Sequence, residues 1–81
     1  METRTTEKLA QDYAALGDSV DLINAIIAGD SMADESAEDR QDCVNRNTQH
    51  LEIMVAKEDW GSEDMTATNA AIAAGNGYTA S

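Results

Sequence analysis

Proline and phenylalanine are absent from this 81-residue chain, cysteine occurs once, and the aromatics are one Trp and two Tyr. Each shortage excludes something. A single cysteine, Cys43, cannot close an internal disulfide, so nothing staples the fold covalently, which fits a reducing compartment or a virion. Few aromatic and β-branched residues argue against strands. Three scattered aromatics make no stacking platform for nucleic-acid bases. Large aliphatics are also scarce: four Leu, five Ile and three Val, while 14 of the residues counted as hydrophobic are alanine. Positive charge is short as well, with 5 Lys and Arg against 16 Asp and Glu and a formal net charge of −11. Such a chain repels nucleic acid and anionic membrane surfaces, whose affinity for proteins comes from Lys and Arg. No apolar run reaches the 18 or so residues that would span a bilayer. The polar start, Met1–Thr6, has no apolar stretch of the kind a secretory signal needs.

What is present favours helix. Ala, Glu, Gln, Met and Leu are abundant, and all are good helix formers. The length allows one small domain, residues 1–81, with no room for a second domain or a deep cleft. The expected architecture is all-α: a long antiparallel helical hairpin with a short third helix.

The first helix is expected over residues 6–28. Thr5 or Thr6 opens it, Glu7 lies in its first turn, and Gly29 closes it. Leu9, Tyr13, Leu16, Val20, Ile23 and Ile27 follow steps of 4, 3, 4, 3 and 4, a heptad seam. Gly17 with Asp18 and Asp21 offers a break, but the seam keeps its phase across it, which favours one continuous helix. The second helix is expected over 36–59 with Ser36 as its cap, and Asp42–Arg46 as an i,i+4 ion pair. Trp60–Gly61 ends it, with Trp60 as a core or hinge plug. A third helix is expected over 62–74, opened by Ser62 and closed by Gly75-Asn76-Gly77.

The hairpin carries a mismatch. The first helix is apolar to its end, whereas the second has only Ala37 and Cys43 as apolar residues before Val44. Leu22, Ile23, Ile26 and Ile27 would therefore face a polar half-helix. Burial of one Leu or Ile is worth roughly 1.5–3 kcal/mol, so four left wet would forgo much of a small domain's stability. The sequence thus predicts that this patch docks on a protein partner or a second copy; the competing reading is that the third helix or the Tyr78 tail covers it.

No constellation for chemistry stands out, so a catalytic residue, a metal site and a cofactor are not expected. Asp30, Asp34, Glu38 and Asp42 recur every four residues and make an acidic surface, but they lack the glycine and terminal glutamate of a calcium loop. Cys43 and His50 are two helical turns apart, about 10 Å along the axis, too far to touch. Asn47 reads either as a buried amide setting helix register or as part of an exposed polar face.

The stretch from Val44 to Trp60, with Glu63-Asp64-Met65-Thr66-Ala67 and Asn69–Gly75, resembles small proteins of marine tailed phages, cyanophages in particular. The resemblance covers about 40% of the chain. It implies a phage origin, in the virion or the cytoplasm of the infected host, and carries over neither an activity nor a functional residue. The expected function is therefore non-enzymatic: a phage structural or accessory protein assembling by helix packing. The alternative is an acidic mimic of nucleic acid that inhibits a host or defence enzyme handling DNA or RNA.

Overall fold

The computed structural model of the chain describes residues 5–81. The reading of Met1–Arg4 as a polar, signal-free start lies outside these residues. Three helices follow in order: α1, Thr6–Ala28; α2, Ala37–Lys57; and α3, Thr66–Gly77. Each packs on both others. The body measures 43 × 19 × 18 Å, and a width of about two helix diameters leaves no interior beyond the shared core.

The ends of α1 and the start of α2 are set by local chemistry. Thr5 Oγ1 accepts the Lys8 N–H at 3.1 Å, and Ser36 Oγ accepts the Asp39 N–H at 3.1 Å. Glu7, Glu38 and Asp39 sit in first turns, where the helix dipole favours negative charge. Gly29 ends α1 in the left-handed region, φ 84°, where a side chain would be strained. α1 runs unbroken through Gly17. α2 stops at Lys57, where the Met54 carbonyl accepts both the Glu58 N–H at 3.1 Å and the Trp60 indole N–H at 3.1 Å. Trp60 is buried, so it plugs the core and caps α2 at once.

The third helix differs from expectation at both ends. Gly61, at φ 57°, and the Glu63 N–H to Trp60 carbonyl bond make a turn at residues 61–62, and the chain runs on without helix to Met65. Asp64 Oδ1 then accepts the Thr66 N–H at 2.9 Å, so α3 begins at Thr66 rather than at Ser62. At the far end α3 continues through Gly75 to Gly77 instead of stopping at Ala74. Packing explains it. The buried face of α3 is Thr68, Ala71 and Gly75, small residues that let the helix lie close to its neighbours. A Cβ built on Gly75 would meet Thr48 Oγ1 at 1.9 Å and Thr48 Cβ at 3.0 Å. Thr48 is 2% exposed, and its hydroxyl oxygen has no hydrogen-bond partner. An unpartnered buried hydroxyl costs about 1–3 kcal/mol, so this close approach is held by the apolar packing on either side of it.

One core joins all three helices: Leu16, Val20, Ile23, Ile26, Val44, Leu51, Trp60 and Ala71. Its membership corrects the expected docking patch. Ile23 and Ile26 are 0% and 2% exposed and Leu22 is half-buried, leaving Ile27 at 38% as the exposed remnant. Ile23 and Ile26 are sealed within the three-helix core all the same, and two irregular segments add apolar groups to that core: Met32 from the α1–α2 loop, and Tyr78 from the tail, as the competing reading had it. Met32 takes a positive φ of 55°, a conformation rare for a side chain of its size. The core face of α1 also turns along its length. Leu16, Val20 and Ile23 keep the heptad seam, but the seam ends on Ile26, about 100° around the helix from Ile27. The partners at that end lie toward Leu22 and Ile26.

Two predictions follow from this packing. Ile26→Ala is expected to cost about 2–5 kcal/mol and Ile27→Ala less than about 1 kcal/mol in thermal or denaturant unfolding; equal losses would contradict the rotated core face. Gly75→Ala gains about 1 kcal/mol of helix propensity but meets a branched side chain with no flexible end, an overlap worth about 1–3 kcal/mol. We expect net destabilisation, partly recovered by adding Thr48→Ala. A raised melting temperature for Gly75→Ala would show that the approach is looser than described.

Candidate functional site

A network of side-chain contacts outside the core lies at the start of α2. Gln41 Nε2 donates to the Tyr78 carbonyl at 3.0 Å, and Gln41 Oε1 accepts the Ala80 N–H at 2.8 Å. Asn45 Oδ1 accepts a further bond from Gln41 Nε2 at 3.0 Å, which orients the carboxamide. The half-buried Arg40 donates to the Tyr78 hydroxyl at 3.4 Å, to the Ser81 main-chain oxygen at 2.8 Å and to the Glu35 carbonyl at 3.3 Å. The tail is thereby tied across the end of the molecule where the sequence placed a bare apolar patch. Neither Arg40 nor Gln41 was singled out from the sequence. The signal that existed was spacing: Ala37, Gln41, Val44, Thr48, Leu51 and Val55 keep steps of 4, 3, 4, 3 and 4, with polar residues at two inward positions.

Around this clip the surface is acidic. Asp30, Asp34, Glu38 and Asp42 are all exposed, as are Glu35 and Asp39. Asp42 pairs with Arg46 at 3.1 Å, the i,i+4 bridge expected from spacing, with both side chains mostly in water. Such a pair is worth a few tenths of a kcal/mol. Lys8 pairs with Asp12 at the same i,i+4 spacing at 2.9 Å, with the Asp12 side chain only 17% exposed. Glu38, Asp39, Gln41, Asp42 and Asn45 line an open depression of about 400 Å³. Among the described residues no group of three or more His, Cys, Asp or Glu is placed to hold a metal ion, and no helix is long and apolar enough to cross a membrane.

The remaining candidates stand apart. Cys43 is half-buried and packs against the core, and the Asn47 amide donates to its carbonyl at 2.8 Å and to its sulfur at 3.5 Å. Asn47 thus bonds its own helix instead of setting register across an interface. His50 is exposed on α2. At the other end of the molecule the Tyr13 hydroxyl donates to the Asp64 carbonyl, fixing the start of α3 against α1. The Asp64 carboxyl is held below its ordinary value of 3.8, chiefly by the Thr66 hydroxyl and next by the Thr66 backbone N–H.

The chain was compared with family models, curated proteins and solved structures, and it matches none of them.

Because the Asp64 value is lowered in the folded chain, its contribution to stability is complete above the unfolded value of 3.8 and is lost as pH falls through the lower folded value. The Thr66 amide resonance is expected to titrate with a midpoint below 3.8 in NMR, and to lose that titration in Asp64→Asn. A midpoint at or above 3.8 would contradict the Asp64–Thr66 hydrogen bonds.

Proposed function

We propose that the protein acts by binding and not by catalysis, as a small acidic helical protein that docks on a basic surface of an enzyme handling DNA or RNA. The observation that carries this reading is the charge at one end of the body. Asp30, Asp34, Glu35, Glu38, Asp39 and Asp42 all face solvent there. The one arginine inside that run, Arg40, is turned onto the tail. A concentration of one sign of charge on a rigid helix gives fast, oriented encounter with a surface of the other sign. The resemblance to marine phage proteins gives such a binder a setting: an infected cell, with a host or defence enzyme as the target.

A second reading keeps the protein as a phage structural or accessory component, in the virion or the host cytoplasm, assembling through helix packing. Its support is narrower than the sequence suggests. Ile27 and the half-buried Leu22 are what α1 still offers at its end, and the other exposed large apolar residue, Ile53, lies near the opposite end of α2 at 53% exposure.

Salt separates the two readings, since docking by charge weakens steeply with ionic strength and apolar docking does not. The test is displacement of a labelled DNA duplex from a basic, sequence-independent duplex-binding protein. We expect displacement at about 50 mM salt that falls at least tenfold by about 300 mM, and a similar loss in the triple variant Asp34→Asn, Glu38→Gln, Asp42→Asn. Displacement that survives neutralisation of these residues, or none at low salt, would overturn the charge-driven reading.

A further inference from the structure

Residues 78–81 are bound by α2 in the manner of a peptide ligand. Gln41 uses both ends of its carboxamide on main-chain groups two residues apart, the Tyr78 carbonyl and the Ala80 N–H. That is the pair of bonds a neighbouring β-strand supplies, and it reads extended backbone without regard to side chains. Tyr78 is indeed extended, φ −78° and ψ 131°. Arg40 spans the same segment from the Tyr78 hydroxyl to the Ser81 main-chain oxygen, and the Tyr78 ring packs against the core. Gly77, the last residue of α3, immediately precedes the segment, and every polar bond described for residues 78–81 beyond that helix end runs to Arg40 or Gln41. Beside Gln41 lies the acidic depression lined by Glu38, Asp39 and Asp42. The tail, Tyr78-Thr79-Ala80-Ser81, brings no cation to it.

We propose that Arg40 and Gln41 form a binding site for an extended peptide, that residues 78–81 fill it as an autoinhibitory strap, and that the external ligand is a segment with a tyrosine, a free main chain and a Lys or Arg that enters the acidic depression. The basic side chain in this ligand rests on the charge-driven function proposed above; the peptide site does not. An attached tail competes at an effective concentration of about millimolar. An outside segment must therefore bind more tightly than the tail does, and a cation in the acidic depression supplies that difference.

The test uses the full chain, a chain ending at Gly77, and two labelled peptides: one copying Gly77–Ser81, the other with lysine in place of Thr79 and Ser81. The shortened chain is expected to bind both, the lysine peptide about tenfold more tightly, and the full chain to bind each about tenfold more weakly than the shortened one. A shortened chain that keeps its helical circular dichroism yet binds neither peptide would overturn the site. Equal affinity for the two peptides would overturn the basic ligand alone. Peptide binding that persists while DNA displacement fails would count against the charge-driven function and not against the site. Should the shortened chain unfold, Gln41→Ala in the full chain serves instead: hydrogen exchange at Ala80 is expected to speed up about tenfold with α1 core amides unchanged, and an unchanged Ala80 rate would refute the strap.

Discussion

The contact between Gly75 and Thr48 sets the position of everything beyond it. With no Cβ on Gly75, α3 lies directly against the Thr48 side chain of α2, which occupies the space a Cβ would take. Because α3 ends at that level of α2, the next few residues are long enough to reach Arg40 and Gln41 about two turns away. A wider spacing would leave the tail short, and Tyr78 would no longer close the end of the core. The unpartnered Thr48 hydroxyl is the local cost of that geometry.

Scarcity of large apolar side chains shapes the rest. With so few of them, the chain cannot fill both ends of a helical hairpin from helices alone. It completes the core with side chains from irregular segments: Met32 from a loop, Trp60 from a turn and Tyr78 from the tail. Each is fixed by a backbone or polar device. Met32 sits at positive φ, the Trp60 indole bonds the Met54 carbonyl, and Tyr78 is clipped through Gln41 and Arg40. Core and surface are thus coupled at this end, where Gln41 and Arg40, which hold Tyr78 on the core, lie among the exposed acids Glu38, Asp39 and Asp42.

That coupling joins the two proposed activities to one place. In the proposed function, a basic partner drawn to Asp34, Glu38 and Asp42 would meet the tail clip on arrival, since Gln41 borders both the clip and the acidic depression. Binding there would compete with the strap, and release of the strap would uncover part of the apolar end. The surface read from the sequence as a docking patch for another chain is in this arrangement covered from within, Ile27 excepted.

Whatever depends on near neighbours in the chain could be read from the residues alone. The all-helical class, the caps at Thr5, Ser36 and Gly29, the unbroken α1, the Asp42–Arg46 pair and the plug role of Trp60 all follow from propensity, spacing and turn chemistry within a few residues. The tertiary structure decided what depends on residues far apart in the chain. The start of α3 moved from Ser62 to Thr66 because Trp60, Tyr13 and Asp64 hold the turn, and its end passed through two glycines because one of them faces Thr48. The fate of Ile23 and Ile26 was decided in the same way. Apolar periodicity along a helix says which face seeks cover, but not whether another chain or this chain's own distant residues provide it; the Tyr78 tail was legible only as one alternative, and Met32 in the core was not legible at all.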